Sequence, residues 1–106
     1  MKFPPTIRLF FVPCVNSSTK EYLDGYTEQP GGRTICIDPR ARMNMVRLLI
    51  HEVLHVQHPK WSECKILAET KKRFNKMTWK GKVELLQTAF AQSKVGYPPK
   101  EEDKDA

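Results

Sequence analysis

All three histidines of the 106-residue chain fall in one short run, His51-Glu52-Val53-Leu54-His55-Val56-Gln57-His58. The first five residues spell H-E-x-x-H. On a helix, residues four apart lie one above the other, so His51 and His55 present two imidazoles on one face, close enough to share a zinc ion. Glu52 lies beside that face, where a carboxylate can take a proton from a water polarised by the ion. The chemistry this spacing implies is metal-assisted hydrolysis of an amide bond, with one Zn2+ as cofactor. Two polar rings and a carboxylate on a mostly apolar segment need partners when buried, and a metal supplies one.

A catalytic zinc generally takes three protein donors, so a further ligand is required. The candidates downstream are His58, Glu63 and Glu69. His58 continues the histidine stripe, but donors at i, i+4 and i+7 span about 10 Å of straight helix. It can join only if the helix breaks before it; otherwise it is a helix-end histidine or a residue of the substrate cleft. Glu63 and Glu69 share a second helical segment. At about 100° per residue, Glu63 projects into the middle of the stripe formed by Ile66, Leu67, Thr70, Phe74 and Met77. Glu69 projects among the basic residues, where an ion pair with Lys65, Lys72 or Arg73 accounts for it. A turn of only Pro59-Lys60-Trp61 brings Glu63 back towards His55. A first-turn acid can also serve simply as a cap that favours the helix dipole. For a developing oxyanion, Tyr22, Tyr26, Tyr97, His58 and Arg47 are all candidates, and Arg47 can instead pair with Asp38.

The elements that must position these groups follow from periodicity. Residues 6–12 are rich in β-branched and aromatic types and bounded by prolines, as a strand is. A second strand over residues 21–27 competes with a hairpin turn at Asp24-Gly25. Thr34, Ile35, Cys36, Ile37 and Asp38 alternate as a half-buried strand. From Ala41 onward the pattern becomes helical and apolar nearly all round, which predicts a buried central helix ended by Pro59. Ser62 caps a second helix to about Met77. A third runs from Thr78 or Gly81 to Val95, with Gly96 as its stop. The expected fold is therefore α+β: a small N-terminal sheet of about three strands followed by three helices, with H-E-x-x-H on the central buried one. Residues 1–97 make one domain, and residues 98–106 a charged, disordered tail. Trp61 and Trp79 are expected to pack at helix ends.

The run Leu49-Ile50-His51-Glu52-Val53-Leu54-His55, followed by Pro59 and by Trp61-Ser62-Glu63, resembles the small zincin-type metallopeptidases of bacteria and their phages. These are gluzincin-like in joining two histidines with a glutamate from the following helix, and the likeness covers residues 33–70. It implies a zinc ion held by His51, His55 and Glu63, with Glu52 as general base. It also implies that Thr34, Ile35, Cys36, Ile37 and Asp38 form a sheet edge along which an extended peptide substrate lies. The spacing to the glutamate is much shorter than in large gluzincins.

Composition and charge bound the alternatives. With 40% hydrophobic and 28% charged residues the chain is globular in character and sized for one domain. No apolar run is long enough to span a membrane, and residues 7–15, interrupted by Arg8 and Pro13, make a poor signal-peptide core. A monomer in the cytoplasm is expected. Cys14, Cys36 and Cys64 are too few and too scattered for a disulfide framework and read as reduced thiols. Cys64, next to Glu63, is the one that could compete for metal. The formal charge is +6, and residues 60–82, with eight Lys and Arg against two Glu, carry all of it. This segment is either the solvated face of the second helix or a polyanion-binding surface for nucleic acid. Three functions therefore compete: a peptidase acting on peptide or protein, a nucleic-acid-associated zincin-like protein, and a structural or regulatory zinc domain.

Overall fold

The computed structural model describes residues 2–14, 24–27, 33–41 and 44–97. Its elements run β1 (Arg8–Phe11), β2 (Gly25–Thr27), β3 (Thr34–Ile37), α1 (Met45–Gln57), α2 (Glu63–Lys76), α3 (Trp79–Gln92) and β4 (Lys94–Val95). The α+β architecture is as expected, except that the sheet has four strands. The proposed tail at 98–106 and Tyr22 lie outside the described residues.

Each helix starts on a side chain that satisfies its free N–H groups. Asn44 Oδ1 accepts from Val46 N at 2.9 Å, Ser62 Oγ from Lys65 N at 3.2 Å, and Thr78 Oγ1 from Gly81 N at 3.1 Å. Helix α1 ends at His58, whose φ of −131° and ψ of 68° leave the helical region, as the residue before a proline must. Its stretch Leu48–Leu54 is buried throughout, His51 and Glu52 included. That burial places the motif helix at the centre of the molecule.

Helix α3 stops sooner than its sequence pattern suggests. Ser93 closes it by returning its Oγ to Phe90 O at 2.8 Å, and Lys94–Val95 then extends to pair in parallel with Phe10 and Phe11. Gly96 follows with a φ of +99°, a conformation that favours glycine, and donates to Phe11 O. The N-terminal segment is tied to the same helix. Phe3 N donates to Thr88 Oγ1 at 2.8 Å, and the Gln92 amide donates to Pro4 O and Ile7 O.

The strand order is β2-β3-β1-β4, with β3 parallel to β1 and antiparallel to β2. Two expectations for Thr34, Ile35, Cys36, Ile37 and Asp38 are corrected by this order. The segment is not a sheet edge, because β1 and β2 already occupy both of its hydrogen-bonding sides. Nor is it half-buried, since all five residues are buried. Ile35 and Ile37 join Leu9, Leu49, Leu54, Ile66 and Leu85 in the main core, while Cys36 faces a second cluster with Phe10, Val12 and Cys14. Burial pushes the Cys14 thiol up to about 12, so it is inert as a nucleophile near neutral pH. The chain crosses close at β2: a Cβ on Gly25 would lie 3.0 Å from Cys36 O.

Asp38 fastens the end of β3. Its carboxylate accepts from Cys14 N at 3.0 Å, from Arg40 N at 2.8 Å, and from the Arg40 guanidinium at 2.9 and 3.0 Å. The hydrogen-bonded guanidinium holds this carboxyl well below the usual carboxylate range. Its partner is therefore Arg40. Arg47 instead lies over the Phe74 ring, 5.6 Å from its centroid.

Candidate metal centre

Helix geometry sets the first two groups. His51 and His55, one turn apart on α1, have ring centroids 4.8 Å apart and Nε2 atoms 3.2 Å apart. The third group comes from α2. The Pro59-Lys60-Trp61 turn folds α2 back along α1, and Glu63, its first residue, reaches both rings. Its Oε1 lies 3.0 Å from His51 Nε2 and its Oε2 2.9 Å from His55 Nε2. These three residues form the one group of metal-donor side chains found among the described residues, with ligand atoms all within 4.8 Å of one another.

The donor set fits a zinc ion. Two donors about 2.0–2.1 Å from a tetrahedral zinc lie about 3.3 Å apart, close to the 3.2 Å between the two Nε2 atoms, and Glu63 meets each ring through a different oxygen. Each imidazole Nε2 carries at most one hydrogen, so the three short contacts cannot all be good hydrogen bonds at once. A cation held among the three groups would accept their lone pairs without needing those hydrogens. With these three donors a bound zinc would keep one position for water or substrate, as catalytic zinc sites do. One feature departs from the usual pattern. Histidine ligands normally donate their other ring N–H to an outer partner, whereas His51 Nδ1 is buried with no such partner among the described residues.

Electrostatics distinguish the members of the site. Burial lowers the His51 pKa against the opposing pull of Glu63, which favours the neutral ring that metal binding requires. Glu52 is only 4% exposed, and burial raises its pKa, partly offset by a hydrogen bond from Thr27. That bond is short: Thr27 Oγ1 lies 2.6 Å from Glu52 Oε2 and 3.3 Å from Glu52 O. Thr27 was not singled out in the sequence. It lies 25 residues upstream, and only the pairing of β2 beside β3 carries it to α1.

The remaining candidates go elsewhere. His58 caps α1 and stacks on Trp61, with centroids 3.7 Å apart and planes 4° apart, so it is not part of the donor group. Glu69 pairs with Arg73 at 3.1 Å. Cys64 is exposed on α2 and also outside the donor group. Tyr97 donates its hydroxyl to Pro13 O, and Tyr26 packs against the second core cluster. Trp61 packs at the helix junction as expected, but Trp79 is 80% exposed. It lies about 100° round α3 from the buried Leu85 and Ala89 stripe, and so misses the core. Leu67, about 100° from Ile66 on α2, is likewise half exposed.

Compared with models of known protein families, with curated proteins and with solved structures, the chain matches none of them.

Proposed function

We propose that the protein is a zinc-dependent metallopeptidase that hydrolyses peptide bonds with Glu52 as general base. The observation that carries this reading is the convergence of His51, His55 and Glu63 from two helices, with a buried carboxylate on the residue between the histidines. Two imidazoles and a carboxylate are a donor set suited to zinc. When bound, the ion would supply Lewis acidity to water and to the scissile carbonyl.

The chain's own groups supply the rest. Glu52, with its basicity raised by burial, accepts the proton of the attacking water at one carboxylate oxygen. It then returns the proton to the departing amine. Thr27 donates to Oε2 and fixes the rotamer of that carboxylate. Glu63 and His55 are partly exposed, with side chains 57% and 28% accessible, which leaves the centre open to a peptide.

The strand beside this opening is β2, not the interior β3. Among the described residues β2 is the outer strand of the sheet on this side, and Thr27 at its end touches Glu52. A substrate adding an extended segment along β2 would pass next to the general base, held by main-chain hydrogen bonds.

Part of the basic excess of residues 60–82 is engaged within the molecule. Within residues 60–82, Arg73 is paired with Glu69, while Lys65 and Lys82 lie over the rings of Trp61 and Phe74. The test is to incubate the zinc-loaded protein with a broad mixture of unstructured peptides and read new termini by mass spectrometry. Cleavage that stops on chelation and returns with zinc supports the proposal. A loaded protein that cleaves nothing overturns it.

A further inference from the structure

The two histidines and the glutamate are not held in the same way. His51 and His55 share one helix, so their spacing is fixed by helix geometry. Glu63 belongs to the first turn of another helix, and its side chain is more than half exposed. Its distance from the imidazoles therefore depends on how α2 is held against α1, by the buried Ile66 one turn further on and by the turn between the two helices.

Trp61 is the last residue of that turn, next to the Ser62 cap of α2. Its backbone N–H donates to His58 O at 3.1 Å, and His58 N donates to Leu54 O at 2.8 Å, which joins the turn to the last residues of α1. Its ring stacks flat on His58, while Lys65 Nζ, from the first turn of α2, lies 4.4 Å from the ring centroid. The same ring packs against the main core. One flat side chain thus contacts the end of α1, the start of α2 and the core. Aromatic stacking and a cation over an indole face each add stabilisation that an aliphatic residue of similar size does not provide.

From this geometry we infer that Trp61 is a positioning residue for the metal centre: stacked on His58 and covered by Lys65, it holds Glu63 at bonding distance from His51 and His55. The inference rests on the reading of these three residues as zinc ligands. It adds that the third ligand's contribution depends on a residue that touches neither the metal nor substrate. His58, whose place near the motif suggested a ligand, then serves the site through its ring face.

The test is zinc affinity, measured by competition with a chromophoric chelator on full-length protein, with folding checked by circular dichroism. Trp61→Ala should weaken zinc binding by about tenfold or more, the range known for outer-shell partners of metal ligands. Trp61→Phe, which keeps a flat ring, should restore most of the affinity. Trp61→Leu, which keeps apolar bulk without a ring face, should not, and this pair carries the test if the alanine variant fails to fold. A double-mutant cycle separates positioning from general loosening. In a Glu63→Ala background the further change Trp61→Leu should have little effect, because the group it positions is gone. Equal losses in both backgrounds, or wild-type affinity in the leucine variant, would overturn the inference while leaving the zinc site standing. A wild-type chain that binds no stoichiometric zinc would overturn both.

Discussion

Glu63 and Glu69 sit six residues apart on one helix and have different partners, His51 and His55 for the first and Arg73 for the second. The account therefore assigns them different effects. Glu63→Ala should reduce zinc affinity by at least tenfold, while Glu69→Ala should leave it within about twofold, since an exposed i,i+4 pair contributes little. Elemental analysis and chelator competition read both, and equal retention of zinc would remove Glu63 from the ligand set. Thr27 carries a separate expectation. Thr27→Val removes the donor to Glu52 while keeping shape, so zinc content should be unchanged and peptide turnover should fall by about tenfold. Thr27→Ser should recover most of it. Unaltered turnover in the valine variant would show that Glu52 needs no such partner.

At the scale of elements, the clamp formed by Asp38 and Arg40 ties the end of β3 to the chain leaving β1. The folded-state pKa of Asp38 is depressed, so its stabilisation is complete above its unfolded pKa of about 3.9 and is lost as pH falls towards the folded value. The melting temperature should drop between about pH 4 and pH 2, and Asp38→Asn should lower it at neutral pH while flattening the acid limb. An unchanged acid limb in that variant would show that other carboxylates set it. The elements also show what was readable locally. The motif helix, its stop at Pro59, the cap at Ser62 and the choice of Glu63 over Glu69 as the carboxylate that meets the histidines all depend on short-range periodicity and turn chemistry, which a sequence displays. The place of β3 inside the sheet, the contact of Thr27 with Glu52 and the pairing of Lys94–Val95 with β1 depend on strand order. Strand order is set by contacts between residues far apart in the chain, and a two-residue strand after a helix leaves no pattern of its own. Trp79 shows a different failure: its size predicts packing, but the register of α3 turns it away from the core.

For the molecule as a whole, the His51, His55 and Glu63 group bridges α1 and α2, so a zinc ion bound there should link ion binding to folding. At a zinc concentration a hundredfold above Kd, binding to the native state contributes about 2.7 kcal/mol. In a domain of this size that raises the melting temperature on the order of 10 °C. Scanning calorimetry with and without chelator would read this shift, and its absence would mean that the ion does not bind the folded chain. The central claim, that Glu52 does the proton work at a zinc site it does not ligate, has a more direct test. Wild-type and Glu52→Gln protein, each loaded with zinc and assayed for metal content, would be compared in cleavage of one unfolded protein substrate. One zinc per chain is expected in both, with turnover in the variant reduced at least a hundredfold, the lower range for loss of a general base. Cleavage by Glu52→Gln at the wild-type rate would contradict that claim.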